Sequence, residues 1–235
     1  VTPRAGSGAG FGVATLPPWV PAPAPHAVKL VCPYVEGMLW PQTRAIGERF
    51  NAQFANVGGS DTAYHALLTR LWAMGEGFAL LEHDLSPSDA LLSELLACEQ
   101  PWCSGAYLYR AEGRTILIWG QGIVKFSTRL VRAESNAMAF APCHWEVLDL
   151  VLADVLTERG YVVHQHLPAV RHLRLDMAVT VIKDGVRYET PGRGEPPLVF
   201  QSRSEVSLLG RVLARLRRSR TRSPRPPIPM MCSSI

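Results

Sequence analysis

No stretch of the 235-residue sequence stays apolar for the roughly 18 to 20 residues that a membrane-crossing helix needs, so no bilayer span is expected. The chain begins at Val1 and gives no ground for claiming a signal peptide or an anchor. Its cysteines, Cys32, Cys98, Cys103, Cys143 and Cys232, are odd in number and lack the close CxxC pairs that mark a zinc site. Buried thiols in a reducing compartment are the expected state, with a Cys98–Cys103 disulfide as the alternative. Gly6, Gly8, Gly10 and Gly12 have neither a strand before them nor an amphipathic helix after, which excludes a dinucleotide-binding glycine loop.

What is present is the composition of a globular chain: 47% hydrophobic residues in 25.8 kDa, enough for one ordinary domain or two small ones. The net charge of +4 conceals a division. Between Arg203 and Arg225 eight arginines face one glutamate, which leaves the rest of the chain at −3. Residues 1–26, ending in a Pro-Ala alternation, read as a flexible leader, and residues 201–235 as a basic tail. A short amphipathic helix over 206–216 is the tail's one expected element. Residues 27–200 would form the folded domain.

Order starts with a β-like run, Val28 to Cys32, stopped by Pro33-Tyr34, and a helix is expected from Thr43 to Phe54. The loop from Asn56 to Asp61 supplies a helix cap. Ala63, Leu67, Leu68, Leu71 and Trp72 then recur at helical spacing up to Gly75. Gly77 to Leu81 reads as a strand that delivers Glu82-His83-Asp84 at its carboxyl end. Ser86-Pro87-Ser88-Asp89 reads as a capping box opening a helix to about Cys98. Strands are expected at 106–109, 115–119, 123–127 and 161–164, with Gly120 and Gly122 permitting a close turn. Trp145, Leu148, Leu152, Val155 and Leu156 mark a helix over 144–159. Lys183-Asp184-Gly185 between two short apolar runs predicts a hairpin. Strands alternating with helices predict an α/β fold with a mixed, mostly parallel sheet flanked by helices.

Three chemically useful groups follow one another: Glu82 and Asp84 at a strand end, Glu146 and Asp149 at a helix start, and the histidines His164, His166 and His172. Carboxylates at the carboxyl edge of an α/β sheet lie where ligands bind, and their hard oxygens suit Mg²⁺ or Mn²⁺ held against a diphosphate. With Pro33-Tyr34 after the first strand, the Lys125-Phe126-Ser127 segment, Trp145 at a helix start and the run His166-Leu167-Pro168-Ala169-Val170-Arg171-His172-Leu173, this order resembles nucleotide-sugar glycosyltransferases of GT-A type, family-2-like bacterial and phage-type members in particular. The resemblance covers about residues 28–173. Glu82 replaces the usual Asp, and the acids after Trp145 are not adjacent.

The resemblance implies a Rossmann-like GT-A fold and a metal-dependent glycosyltransferase, with a nucleotide-sugar donor, a hydroxyl acceptor (glycan, lipid or small molecule) and Mn²⁺ or Mg²⁺ as cofactor. Asp84 would bind the metal, with His172 and His166 as further ligands. Pro33, Tyr34, Asp61, Glu82 and Lys125 would line the donor site. Asp149 would be the acceptor base, with Glu146 as its substitute. An Asp in a first helical turn is expected to keep a low pKa, because the helix dipole favours its anion. Two rivals stand beside this reading: a zinc hydrolase using His164, His166 and His172, and a nucleic-acid binder acting through the arginine tail. A cytoplasmic location is expected, membrane-peripheral if the tail's arginines meet an anionic surface.

Overall fold

The computed structural model describes residues 28–111 and 113–202. The expected leader, almost all of the basic tail and its short helix lie outside the described residues. Among the described residues no helix is long and apolar enough to cross a membrane.

The chain opens with β1 (Lys29–Tyr34), α1 (Pro41–Arg49), β2 (Gln53–Asn56), α2 (Ala63–Ala73), β3 (Phe78–Leu81), β4 (Leu85–Ser86) and α3 (Asp89–Ala97). There follow β5 (Trp102–Ala111), β6 (Arg114–Ile118), β7 (Ile123–Phe126), α4 (Thr128–Ala133), α5 (Trp145–Glu158) and β8 (His164–His172). A smaller sheet closes the described chain with β9 (Met177–Lys183), β10 (Val186–Thr190) and β11 (Gly194–Ser202).

The larger sheet has the order β2-β1-β3-β7-β5-β8-β4, with β6 pairing β5. It is mixed rather than mostly parallel, because β7 runs antiparallel to both of its neighbours, β3 and β5, and β4 and β6 add two more antiparallel pairings. The parallel pairings are β1 with β2, β1 with β3, and β5 with β8. The arrangement is compatible with a Rossmann-like fold.

Alternation along the central strands separates two apolar layers. Phe78 and Leu80 of β3 pack with α2, α4 and α5 through Leu68, Trp72, Leu130 and Leu148, whereas Ala79 and Leu81 pack with α1 and α3 through Ile46, Leu91, Leu92 and Leu95. Both faces of the sheet are therefore covered, as near-continuous apolar strands such as β3 require.

Several elements depart from expectation. The first helix stops at Arg49, Asn51 adopts φ 53°, and the chain turns into β2, a short edge strand whose Gln-Phe-Ala-Asn sequence carries no apolar alternation to announce it. The α2 N-cap is Thr62, one residue past the Asn56–Asp61 loop expected to supply it, and α3 is capped by Ser88, whose Oγ accepts from the Leu91 amide at 3.2 Å, because Leu85 and Ser86 are drawn into β4 beside β8. The histidine-rich run is itself the strand β8, longer and later than the expected 161–164. The Asp-Gly hairpin is present: Lys183 pairs Val186, and Asp184 and Gly185 both have positive φ, 52° and 79°, as a type I′ turn demands.

Candidate functional site

The carboxyl ends of β1 and β3 bring the loop after Tyr34 against Glu82-His83-Asp84. The Trp40 amide donates to the His83 carbonyl at 3.0 Å, and Thr43 Oγ1 donates to the Leu85 carbonyl at 2.9 Å, so the start of α1 is fastened to the acidic segment. Gly120-Gln121-Gly122 passes on the other side, where the Glu82 amide donates to the Gly122 carbonyl at 2.7 Å. Glycine is required there: a Cβ at Gly122 would lie 2.8 Å from both Tyr107 and Leu85, and one at Gly120 would meet the Tyr107 hydroxyl and lie 2.9 Å from Asp149 Oδ2. Ser104 secures the same loop by directing its hydroxyl at the Gly120 and Ile123 carbonyls, at 2.8 and 3.1 Å.

Asp84 is buried between a histidine and an arginine. His172 Nε2 lies 3.1 Å and Arg174 Nε 2.7 Å from its Oδ2, and its main-chain carbonyl accepts from the Leu173 amide at 2.8 Å. Burial opposes its ionisation, but the hydrogen bond from His172 and the charges of His172, His83 and Arg174 outweigh it and hold the carboxyl below its ordinary range. His172 Nδ1 donates to the Leu108 carbonyl at 2.7 Å, which directs Nε2 at Asp84. Arg174 also donates to His83 Nε2 at 2.6 Å, and burial pushes the His83 pKa down.

Glu82 points to the opposite face, toward Tyr64 of α2 and Asp149 of α5. Desolvation, with the negative charges of Asp149 and Asp84 behind it, pushes the Glu82 pKa well above the usual carboxylate range. Asp149 is raised to about 6 by burial, even though the Gln121 amide donates to its Oδ2 at 3.0 Å. This corrects the low value expected from the helix dipole: Asp149 lies beyond the first turn of α5, where the dipole has faded and desolvation prevails. Two buried tyrosines face the acids. The Tyr107 hydroxyl accepts from the Gly122 amide at 3.1 Å, while that of Tyr64 lies beside Glu82 close enough to feel its charge but without a well-formed hydrogen bond.

An open cleft of about 490 Å³ adjoins Asp84, lined by Gly37, Met38, Leu39, Trp40, Pro41 and Arg174. A larger hollow of about 640 Å³ beside α2, with Asn56, Ser60, His65 and Arg70 in its wall, contains none of these acids. Of the two, the cleft is the one that adjoins the acidic segment.

Of the residues expected at the site, the structure brings together Glu82, Asp84, Asp149 and His172, with Pro33 and Tyr34 at the end of β1. Asp61 is exposed in the loop whose Ser60 borders the larger hollow. Glu146 sits one turn before Asp149 on α5. Lys125 faces away from the cleft: it is buried on β7, in register with Cys103, and its Nζ donates to the Cys98 carbonyl. His166 is not brought to Asp84. It is buried beside Glu94, while His164 is exposed, so the three histidines do not form one metal triad. Arg174, Tyr64 and Tyr107 were not legible as site residues. Arg174 had the one available signal, its place two positions after His172.

No family model matches the chain, and no curated protein matches it. Among solved structures, a glycosyltransferase involved in the glycosylation of the major capsid of PBCV-1 is similar over 59% of this chain and 82% of that one, at 12% identity and a TM-score of 0.37. A likeness at that level leaves function to be argued from the site.

Proposed function

We propose that the protein is a GT-A-type glycosyltransferase that moves a sugar from a nucleoside-diphosphate donor to an acceptor hydroxyl with a divalent cation bound. The observation that carries the reading is a row of three carboxyls at the end of β3: an ionised Asp84 flanked by His172 and Arg174 beside the cleft, Glu82 next to it, and beyond Glu82 the carboxyl of Asp149, whose pKa of about 6 suits a base.

The residues fit a cation. Asp84 Oδ2 and His172 Nε2 are 3.1 Å apart, and adjacent ligands of an octahedral ion bound at 2.0–2.1 Å are about 3 Å apart; the ion would replace the Nε2 proton, released to solvent, and displace Arg174 from the carboxylate. The Leu108 carbonyl holds the imidazole as second-shell acceptors hold metal-ligating histidines. Asp84 and His172 would hold Mn²⁺ or Mg²⁺, which when bound supplies countercharge to a leaving diphosphate. Arg174, now held by Asp84 and His83 in the cleft wall, would exchange Asp84 for the phosphates when the cation takes the carboxylate.

Asp149 takes the proton of the acceptor hydroxyl as its oxygen forms a bond to the anomeric carbon, and the bond from that carbon to the diphosphate oxygen breaks with its electron pair leaving on the diphosphate. Glu82, kept protonated by its raised pKa, donates a hydrogen bond to the donor instead of repelling it. Tyr64 and Tyr107 exclude water around both acids.

Calorimetry with UDP and GDP, each with and without Mn²⁺, tests the reading. Cation-dependent binding of one of them is expected. No nucleotide binding, or binding indifferent to the cation, overturns it.

A further inference from the structure

A second cluster lies on the α3 face of the sheet, away from the cleft. Cys98 ends α3, Cys103 opens β5 and His166 lies on β8, and one ligand atom from each falls within 4.8 Å of the other two. His166 is 2% exposed. Its Nδ1 lies 2.9 Å from Glu94 Oε1, and as a carboxylate accepts, this nitrogen carries the proton and Nε2 keeps its lone pair. That Nε2 is buried and has no hydrogen-bond partner. A carboxylate fixing the tautomer of an imidazole whose other nitrogen is vacant is the second-shell arrangement of zinc-bound histidines.

We infer that Cys98, Cys103 and His166 form a binding site for a thiophilic divalent cation, zinc by the chemistry of its ligands. Two thiolates and an imidazole select zinc over the hard cations that carboxylates attract, and three protein ligands leave one position for water. Sulfurs bound at about 2.3 Å in a tetrahedron are about 3.8 Å apart, so the ligands need draw in by only about 1 Å. On binding, both thiols release their protons to solvent; Cys103 now donates its own to the Gln100 carbonyl at 3.7 Å. Charge balances: two thiolates neutralise the ion, and Lys125, whose ammonium lies beside Cys103, offsets Glu94. Gly105 lies in register with His166, and a Cβ there would meet Ile123 and Val170 at 3.0 and 3.3 Å, so the strand beside the imidazole is closely packed. The ion would clip the end of α3 to the starts of β5 and β8. The inference is independent of the proposed glycosyl transfer.

The test uses the full chain, purified under reducing conditions from zinc-supplemented cells. One zinc per chain is expected in the wild type, with a thiolate-to-cobalt charge-transfer band when Co²⁺ replaces it. Cys98→Ser, at a half-buried position, should lose both, and Glu94→Gln should bind zinc about 10- to 100-fold more weakly. Asp84→Asn should keep the zinc. A zinc-free wild type without the cobalt band, full zinc retention by Cys98→Ser, or a Cys98–Cys103 disulfide in the reduced protein would each overturn the site.

Discussion

One strand serves two unlike places. At the end of β8, His172 meets a carboxylate and an arginine beside an open cleft; six positions earlier the buried His166 lies near two thiols and meets a glutamate of α3. The six positions place them about 20 Å apart along an extended strand. The difference teaches that a histidine's chemistry is set by what the neighbouring strands and helices bring to it. Oxygen donors and solvent access at the carboxyl edge favour a hard, exchangeable cation, while sulfur donors and burial at the amino end favour a soft, retained one.

Asp84→Asn is the largest lever on that contrast. Without the carboxylate, His172 and Arg174 lose their shared anion and the proposed donor site its proposed cation ligand, so nucleotide binding and turnover should fall together, below calorimetric detection. A variant that still binds UDP or GDP with Mn²⁺ as the wild type does would place the cation elsewhere.

Asp149→Asn separates base from binding. Donor affinity should persist while kcat falls about 10²- to 10⁴-fold, and the wild type's acid limb near pH 6 should vanish from the rate profile. Stability gives an independent reading. The folded pKa of Asp149 is raised, so its contribution favours the folded state below the unfolded value near 3.8 and is lost as pH rises through about 6. The neutral amide should therefore raise Tm above pH 6, with the gain shrinking toward pH 4. A lower Tm at neutral pH would mean that the Gln121 amide bond to the carboxylate outweighs its desolvation.

Gly120→Ala is the mildest change. The new methyl would press on the Tyr107 hydroxyl and on Asp149 Oδ2 at 2.9 Å, at a cost of about 1–3 kcal/mol in denaturant unfolding. Activity should fall with it because Asp149 is displaced, whereas zinc content should not change.

Much of the frame was legible because burial leaves periodic marks. The apolar spacing of α2, the continuous Phe78-Ala79-Leu80-Leu81 of β3 and the Asp184-Gly185 turn each carry their structure locally. Glu82, Asp84 and Asp149 were legible as acids at element ends. β2 was not, because an edge strand with one half-buried phenylalanine needs no alternation. β8 hid behind its histidines, proline and arginine, and β11 behind Pro196-Pro197, which the register shift between Gly194 and Leu198 accommodates. The mostly parallel sheet failed on the directions of β7, β4 and β6, which strands as short as Ile123–Phe126 and Leu85–Ser86 cannot encode. The thiol site required α3 to fold back over β5 and β8, a fact of tertiary packing that the spacing of Cys98, Cys103 and His166 does not announce.

The fastening of Trp40 to the His83 carbonyl has an optical consequence. Trp40 is half-buried in the wall of the cleft that Arg174 also lines, whereas Trp72, Trp102 and Trp119 are buried in the core and Trp145 stands 46% exposed on α5. Among the described tryptophans, Trp40 is the fluorophore whose surroundings change from water to ligand when the cleft fills. Trp40 would thus serve as an emission gauge of the proposed donor binding, read at equilibrium or in a stopped-flow trace, and Trp40→Phe would silence it while leaving the core tryptophans as the reference signal.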